Sequence, residues 1–273
     1  MAHLFIFGLG YTAKRIAARA ETLGWRVDAT GSDGNFPFHD DDRFEEMREV
    51  MGRATHILSS VPPETVTGGD DVLYTYSGRI EAAVKRGAFV GYLSSSGVYG
   101  DTGGAWVDES APTGGGRRTA RSDADARWLE LGAHVFRLPG IYGPGRSAFD
   151  RIASGKAHRI DLPDQVFSRV HVEDIASGVV AAMEGDAPPG AYNLSDDLPA
   201  SQNAVIEEAC RIAGLPLPPM QSLDEAGLSE LARGFYMENR RVANGRAKRV
   251  LGWQPRYPTY REGLAAISRA DAP

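Results

Sequence analysis

The sequence predicts an α/β fold with a doubly wound parallel sheet, and three observations support this prediction. Short apolar runs alternate with amphipathic stretches over the first two-thirds of the chain. Each connecting stretch is long enough to hold a helix, which two neighbouring parallel strands require. Glycines and prolines fall between the periodic segments, where turns are needed. We therefore expect βαβ units joined by right-handed crossovers.

The first unit opens with an apolar run at residues 4–7, which is typical of a strand buried on both faces. Apolar residues then recur at helical spacing from Ala13 to Leu23, and Gly24 can end that helix. Residues 27–30 are the next strand candidate. The chain thus begins with a strand, a helix and a second strand.

The alternation continues to Pro139. Helical stripes centre on Met47, Tyr76 and Trp128, and apolar strand candidates lie at residues 56–61, 89–93 and 134–138. Beyond Pro139 the pattern loosens. Helix candidates there cover residues 175–184, 203–213, 246–251 and 260–268, and strand candidates cover residues 166–172 and 192–194. We expect both of these later strands to rejoin the main sheet.

Composition excludes several function classes. The chain has 273 residues, with 30 Lys and Arg against 36 Asp and Glu, so its formal net charge is −6. An acidic chain has no overall attraction to phosphate backbones or anionic lipid, and we expect neither nucleic acid nor a membrane as a partner. Cys210 is the single cysteine, which suits a reducing compartment. The N-terminal residues carry no basic leader, and we expect a cytoplasmic location.

The acidic run at residues 40–42, beside His39, does not predict a metal site. Three adjacent carboxylates do not converge on one ion, so a solvated loop is the better interpretation. We expect no bound metal.

The turn after the first strand carries the strongest functional signal. Residues 8–13 read G-L-G-Y-T-A, which fits the G-x-G-x-x-G/A pattern. The first glycine allows a tight turn, the second lets the backbone approach a pyrophosphate, and the helix N-terminus faces the anion. This predicts dinucleotide binding by Gly8, Gly10, Tyr11 and Thr12. The alternative is an ordinary strand–helix corner.

The residues at the end of the second strand leave the dinucleotide open. An acid about 20 residues after the glycine turn is expected to contact the adenosine ribose of NAD. Asp28 lies inside the strand, whereas Ser32 and Asp33 lie at its tip and are the candidates for this contact. No arginine stands there for a 2′-phosphate. NAD and NADP therefore both remain candidates, as does a plain turn at residues 32–34.

Four further motifs arrive in a fixed order. Residues 93–100 read LSSSGVYG, 137–145 read RLPGIYGPG, 169–176 read RVHVEDIA, and 191–197 read AYNLSDD. Together they resemble the extended short-chain dehydrogenase/reductase superfamily, of the NAD-dependent epimerase/dehydratase type that acts largely on nucleotide sugars. The resemblance spans nearly the whole chain. It implies a Rossmann fold, NAD or NADP as cofactor, a small-molecule substrate such as a nucleotide sugar, and a possible homodimer.

The resemblance also implies residue roles. Ser95 corresponds to the superfamily hydroxyl that bonds the reacting oxygen of the substrate. Ser59, Ser60 and Val61 correspond to the loop that passes the cofactor ribose. Pro139 and Ile141 belong to the segment that borders the nicotinamide.

The chain departs from the superfamily at its acid/base pair, Tyr-x-x-x-Lys. Arg117 falls at the tyrosine position and Arg121 at the lysine position, and no tyrosine lies between Tyr99 and Tyr142. Arg121 can still hold the ribose, but an arginine cannot carry a proton. Tyr99 and Tyr142, beside the motif loops, are the candidate replacements for the missing phenol.

Two hypotheses follow. The first is an NAD(P)-dependent oxidoreductase or epimerase that acts on a hydroxylated, sugar-like substrate. The second is a non-catalytic NAD(P)-binding sensor or regulatory module. In either case we expect a dinucleotide-binding domain at residues 1–145 plus 166–197. A smaller substrate-binding lobe is expected at residues 146–165 plus 198–273.

Overall fold

A computed structural model describes residues 1–38, 43–64, 68–116 and 119–270. The acidic run at residues 40–42, its neighbour His39, and Arg117 lie outside the described residues.

The helices of the described residues are α1 (Tyr11–Thr22), α2 (Phe44–Arg53), α3 (Asp71–Lys85), α4 (Thr119–Glu130), α5 (Ala148–Ala153), α6 (Val172–Glu184), α7 (Gln202–Ala213), α8 (Glu230–Tyr236), α9 (Gly245–Val250) and α10 (Tyr260–Ala270). The strands are β1 (His3–Phe7), β2 (Arg26–Ala29), β3 (His56–Ser59), β4 (Phe89–Ser95), β5 (Trp106–Val107), β6 (His134–Leu138), β7 (Gly140–Tyr142), β8 (Arg159–Ile160), β9 (Arg169–His171), β10 (Gly190–Asn193), β11 (Met220–Gln221) and β12 (Arg241–Val242). A 3₁₀ turn at Ser96–Tyr99 follows β4.

A parallel sheet of six strands forms the centre of the molecule, in the order β10-β6-β4-β3-β1-β2. The predicted fold class is confirmed. The chain places β2 on one side of β1 and β3 on the other, so the strand order reverses between β1 and β3. The crevice at the carboxyl ends of the strands at such a reversal is where open α/β sheets bind their ligands.

Alternation along β1 explains why helices cover both faces of the sheet. Leu4 and Ile6 pack in one core with α1 and α6, whereas Phe5 and Phe7 pack in a second core with α2, α3 and α4. Because successive side chains of a strand point to opposite faces, a continuous apolar run requires cover on both sides.

A third core lies outside the sheet. It joins α5, α7 and α10 through residues such as Ala148, Ile206 and Leu264. These helices come from the segments assigned by sequence to the smaller lobe, but the proposed domain boundaries remain a prediction.

One of the two late strands was predicted wrongly. The strand candidate at residues 192–194 joins the main sheet as β10, at the edge beside β6, as expected. The candidate at residues 166–172 is extended only as β9, and β9 pairs with β7 instead of the main sheet. The physical reason is that β10 already occupies the edge of β6, while β7 continues past the break at Pro139 and offers β9 a free partner.

Within the described ranges, no helix is both long and apolar enough to cross a membrane.

Candidate functional site

The turn between β1 and α1 has a backbone that only glycine tolerates at its first position. Gly8 has φ +82°, and a Cβ there would lie 2.9 Å from Cγ2 of Val61. Gly10, by contrast, has φ −83°, and no atom of the described residues lies within 4 Å of where its Cβ would be. The second glycine therefore faces open space, and the turn can receive a ligand there.

Neighbouring strands hold this turn in place. The Gly8 amide donates to Oγ1 of Thr30 at 3.0 Å, and the Leu9 amide donates to the Thr30 carbonyl at 2.9 Å. The Ser60 hydroxyl donates to the Gly8 carbonyl from the other side. Thr30 and Ser60, which follow β2 and β3, thus hold the backbone of the turn in place.

The N-terminus of α1 opens from this turn into a cavity. No side chain of the described residues caps the helix at Gly10, so its first-turn amides remain directed outward. Residues 10–13 line the cavity. The partial positive charge of a helix N-terminus favours an anion at this position.

The cavity has a volume of about 820 Å³, and we divide its lining residues into two groups by their position in the chain, up to Tyr142 and from Arg146 onward. We call the part along the sheet the inner half, lined by Gly10, Tyr11, Thr12, Ala13, Ser60, Pro62, Leu93, Ser94, Ser95, Ser96, Arg121, Leu138, Pro139, Gly140, Ile141 and Tyr142. The outer half is lined by Arg146, Ser147, Ala148, Asp150, Arg151, His158, Val166, Phe167, Ser168, Arg169, Gln202, Val205, Leu228, Ser229, Ala232, Phe235, Tyr236, Glu238, Arg240, Val242, Tyr260 and Leu264.

Ser95 lines the inner half at the carboxyl end of β4. Its Oγ accepts a hydrogen bond from the Gly97 amide at 3.1 Å. A hydroxyl keeps one donor after accepting such a bond. Ser95 can therefore donate to a ligand oxygen in the cavity.

Arg121 lines the same half from the first turn of α4. It lies beside Tyr92, a buried side chain of β4. Burial raises the pKa of Tyr92, and the positive charge of Arg121 opposes that rise. The guanidinium of Arg121 and the hydroxyl of Ser95 thus belong to the same wall of the cavity.

A buried polar network lies directly behind this wall. Asp125, one helical turn after Arg121, forms an ion pair with Arg137, with Oδ2 and Nη2 2.7 Å apart. Ser94 donates to Oδ1 of Asp125 at 2.6 Å. We call Ser94, Tyr99, Asp125, Arg137 and Asn193 the Asp125 network. It fixes the helix that carries Arg121 to the strand that carries Ser95.

Tyr99 belongs to this network and not to the cavity wall. Its hydroxyl donates to Oδ1 of Asn193 at 2.8 Å and accepts from Nη1 of Arg137 at 3.0 Å. Burial raises the pKa of Tyr99 even though Arg137 opposes the rise. The phenol thus holds its proton within the network.

Tyr142 lines the inner half, but its hydroxyl points elsewhere. The hydroxyl donates to the Thr259 carbonyl at 3.4 Å. It also packs against Gly263 of α10, where an added Cβ would lie 2.1 Å from the phenol oxygen. Burial raises the pKa of Tyr142. The two tyrosines predicted as replacement acids therefore both have engaged hydroxyls.

The structure places the ribose candidates Ser32 and Asp33 on the exposed surface beside the turn, outside the walls of the cavity. Asp33 forms an ion pair with Lys14 of α1. Asp28 is buried and bonded to His3, Arg26 and Asn35, which ties the edge strand β2 to its neighbours.

The remaining cofactor candidates lie around the inner half. Ser60, Pro139 and Ile141 line it directly. Val61 packs against Gly8, and Ser59 is fully buried at the end of β3. Gly8 itself is covered by Val61 and shapes the turn from behind.

Arginines dominate the charge of the outer half. Arg146 and Arg151 form no ion pair with any described residue. Arg240 is paired with Glu238 at 2.8 Å. Arg169 is buried, and its guanidinium donates to backbone carbonyls, including those of Phe167 and Ala200. Burial lowers the pKa of Arg169 to about 10, so it stays charged at neutral pH.

Sequence reasoning missed Asp125 and the outer arginines, Arg146 and Arg151. A signal for Asp125 was present, because Arg137 stands inside an apolar strand and a buried guanidinium requires an acid partner. No comparable signal marks Arg146 or Arg151, since an arginine in a loop or short helix is usually solvated. Among the described residues, no cluster of three or more His, Cys, Asp or Glu side chains can hold a metal ion.

Comparison with known proteins finds a solved structure that is similar to this chain over its whole length. The structure of a functionally unknown conserved protein from Silicibacter pomeroyi DSS is 40% identical, with a TM-score of 0.86, and the match covers 100% of this chain and 99% of that chain. A curated relative, 3-diazoavenalumate denitrifying reductase from a Streptomyces species, is 34% identical over 172 residues. The match covers 56% of this chain and 54% of the reductase, so it spans about half the length of each protein. No family model matches the chain.

More distant structures share the fold. The dTDP-glucose 4,6-dehydratase of Bacillus anthracis, solved with NAD, has a TM-score of 0.77 at 16% identity, and the match covers 99% of this chain and 97% of that chain. A human epimerase family protein, solved with NADPH, has a TM-score of 0.73 at 15% identity over 98% of this chain and 99% of that chain. The expected likeness in fold to NAD-dependent epimerases and dehydratases is confirmed.

Proposed function

This chain belongs to the same family as the Silicibacter pomeroyi protein, and we propose that it is an NAD(P)-binding oxidoreductase or epimerase acting on a small organic molecule. A single observation carries the proposal. The uncapped N-terminus of α1 opens at Gly10 into a cavity that continues to the hydroxyl of Ser95. One cavity thus joins a phosphate-binding turn to a group that can act on a substrate oxygen.

The residues around the turn fit a dinucleotide. The empty space beside Gly10 admits a pyrophosphate close to the backbone, and the amides of Tyr11 and Thr12 lie in the first turn of α1. Gly8 keeps the turn tight. We assign these four residues to the pyrophosphate because the helix N-terminus supplies the donors and no side chain of the described residues competes for them.

The other cofactor contacts are proposed by position. Ser32 and Asp33 are assigned to the adenosine ribose, and the end of β3 with its loop to the middle of the cofactor. Pro139 and Ile141 are assigned to the nicotinamide side, and Arg121 to the ribose next to it. When bound, NAD(P) supplies the hydride acceptor or donor of the reaction.

Ser95 and Arg121 are the proposed groups for substrate chemistry. The Ser95 hydroxyl can donate to the oxygen of a substrate carbonyl or hydroxyl. The guanidinium of Arg121 can stabilise negative charge that develops on that oxygen, but it cannot give up a proton. The chain's own residues therefore orient and polarise the substrate.

The non-catalytic alternative also rests on a specific observation. The hydroxyls of Tyr99 and Tyr142 are both engaged within the protein, so neither is directed into the cavity to carry a proton. A dinucleotide sensor needs the glycine turn but no acid. Tight NAD(P) binding without hydride transfer to any substrate would favour this alternative.

Two substrate classes come from similar proteins. The Bacillus anthracis neighbour is named for dTDP-glucose, a nucleotide sugar, and the Streptomyces relative for 3-diazoavenalumate. A homodimer, a cytoplasmic location and the division into a nucleotide-binding domain and a smaller lobe remain proposals. Light scattering tests the dimer.

Gly10→Asp tests the proposal. The carboxylate would occupy the position of the pyrophosphate and repel it, so we expect NAD(P) affinity to fall at least about a hundredfold by calorimetric titration. Folding should be unaffected or improved, because Asp is a favoured N-cap residue. The matched control is Gly52→Asp on the exposed face of α2, where a Cβ also meets no atom of the described part of the chain within 4 Å.

Two results would reject the proposal. One is a wild-type chain that binds neither NAD nor NADP. The other is a Gly10→Asp variant that binds as tightly as the Gly52→Asp control.

A further inference from the structure

We propose that the outer half of the cavity takes a flat, apolar organic anion rather than a polyhydroxylated sugar. The inference deepens the proposed function, because it names the substrate class for the same cavity. It rests on which side chains of the outer half are still able to bind a ligand.

The neutral polar side chains of the outer half are largely engaged within the protein. Ser147 forms a reciprocal cap with Asp150, and Ser229 caps α8. Gln202 accepts from Arg169 at 3.1 Å. A sugar presents a hydroxyl on nearly every carbon, and each buried hydroxyl needs a partner. The outer half of the cavity offers few neutral polar groups that are free to serve as such partners.

The charged side chains are engaged unequally. Glu238 is paired with Arg240, and Asp150 accepts from both the amide and the hydroxyl of Ser147. Arg151 has no ion-pair partner among the described residues, and neither does Arg146, which lies over the ring of Tyr11 at 5.8 Å. The available charge is therefore positive, and a guanidinium binds carboxylates and phosphates through two parallel hydrogen bonds.

The rest of the wall is apolar and partly aromatic. Val205, Leu228, Ala232 and Leu264 line it, and so do Phe167 and Tyr236, whose rings meet edge to face with centroids 5.4 Å apart. Such a surface favours a flat apolar body over a hydrated one.

These three features select one ligand chemistry. Arg151 binds the anionic group, with Arg146 available on the side of the glycine turn. The apolar and aromatic side chains pack on the body of the ligand. The anion is a carboxylate or a phosphate, since a guanidinium accepts both.

Direct titration tests the proposal with trans-cinnamate, phenyl phosphate, trans-cinnamamide and UDP-glucose as probes. Each probe is titrated into the full chain with and without saturating NADP. We expect at least one of the two anions to bind at least about tenfold more tightly than the amide and than UDP-glucose. The tighter of the two anions identifies the preferred group.

Arg151→Gln isolates the charge. Loss of charge-assisted hydrogen bonds should weaken binding of the preferred anion about 10- to 100-fold and leave the amide unchanged. Arg19→Gln is the matched control, since Arg19 is exposed on α1 and lies outside the cavity. Arg19→Gln should change neither the affinity for the preferred anion nor the affinity for the amide. Circular dichroism confirms that both variants are folded.

The proposal is overturned if neither anion binds, if both bind no better than the amide, or if UDP-glucose binds most tightly. It is also overturned if Arg151→Gln leaves the affinity for the anion unchanged, or weakens the amide as much as the anion. Its failure is separable from failure of the proposed function, because NADP is also titrated alone into the same protein preparations and reports on the cofactor site independently of the probes.

Discussion

Two regions at the carboxyl edge of the sheet build their sites by different means. The turn after β1 works through its backbone, with Gly8 and Gly10 shaping a helix N-terminus that needs no side chain. The wall at the end of β4 works through side chains, and Ser95 and Arg121 depend on the buried Asp125 network behind them. The first site is local in sequence, whereas the second gathers residues 94–193.

Because of this difference, substitutions in the two regions should affect stability and ligand binding differently. In the turn, a change at Gly10 can abolish a ligand site without disturbing the fold, because no side chain that the structure describes packs there. In the wall, the residues that hold the geometry are buried ions and hydroxyls. A change in the network should therefore affect folding first and function through it.

The largest expected effect is the loss of Asp125. Asp125→Ala leaves the guanidinium of Arg137 buried without its partner, and breaking one side of a buried ion pair costs about 3–5 kcal/mol. The pair is almost fully buried, with side chains 4% and 1% exposed. Urea unfolding measures the loss.

Glu49→Ala is the control, because its pair with Arg53 is solvated, with side chains 68% and 76% exposed. That pair should contribute no more than about 1 kcal/mol. Equal losses in the two variants would contradict a structural role for the Asp125 network.

The same contrast explains how much of the fold the sequence predicted. Apolar runs such as residues 4–7 predict central strands, because a strand that is buried on both faces has apolar side chains at successive positions. Two-residue ladders such as β5 with β12 carry no periodicity, so they were not predicted. The strand β9 was misplaced because its pairing depends on which other segment occupies the edge of β6, and that position is taken by β10.

The candidate site likewise has one part that the sequence predicted and one part that it did not. The glycine turn was recognisable because Gly8 needs a positive φ and the space beside Gly10 must stay open for a ligand. Tyr99 and Tyr142 were selected for their closeness to motifs, but the direction of a hydroxyl depends on distant partners such as Asn193 and Thr259. A single sequence does not contain that information.

The next prediction sharpens the contrast between two neighbouring hydroxyls. Tyr99→Phe removes the bridge between Arg137 and Asn193, and leaving buried polar groups unpaired costs about 1–3 kcal/mol of unfolding free energy. Ser95→Ala should cost less, about 0.5–1 kcal/mol, because it removes only the hydrogen bond that Oγ accepts from the Gly97 amide at the edge of the cavity.

For kcat the order of the two variants should be reversed, with the larger loss in Ser95→Ala. Once a substrate is in hand, Ser95→Ala should lower kcat about 10²- to 10³-fold, as loss of a donor to a developing oxyanion does. Tyr99→Phe should lower kcat much less under conditions in which the variant is folded. A kcat loss confined to Tyr99→Phe would assign the acid to Tyr99 and remove Ser95 from the mechanism.

An effect smaller than the loss of Asp125 is expected in the backbone site. Gly8→Ala places a side chain at φ +82°, which costs about 1–2 kcal/mol, and brings its Cβ to 2.9 Å from Cγ2 of Val61. Gly52→Ala is the control in a helix with open space, where alanine should instead stabilise by about 0.5–1 kcal/mol. Thermal unfolding measures both.

A second substitution divides the cost of Gly8→Ala into its two causes. Val61→Ala removes the methyl group that the new Cβ would meet. Compared with the Val61→Ala single variant, the double variant should therefore recover the steric part of the loss and keep the conformational part. If stability is fully recovered, the positive φ imposes no cost, and any small residue would serve at Gly8. If the loss persists, the backbone conformation itself requires glycine, and the ligand-binding turn is specified by the conformation of one residue.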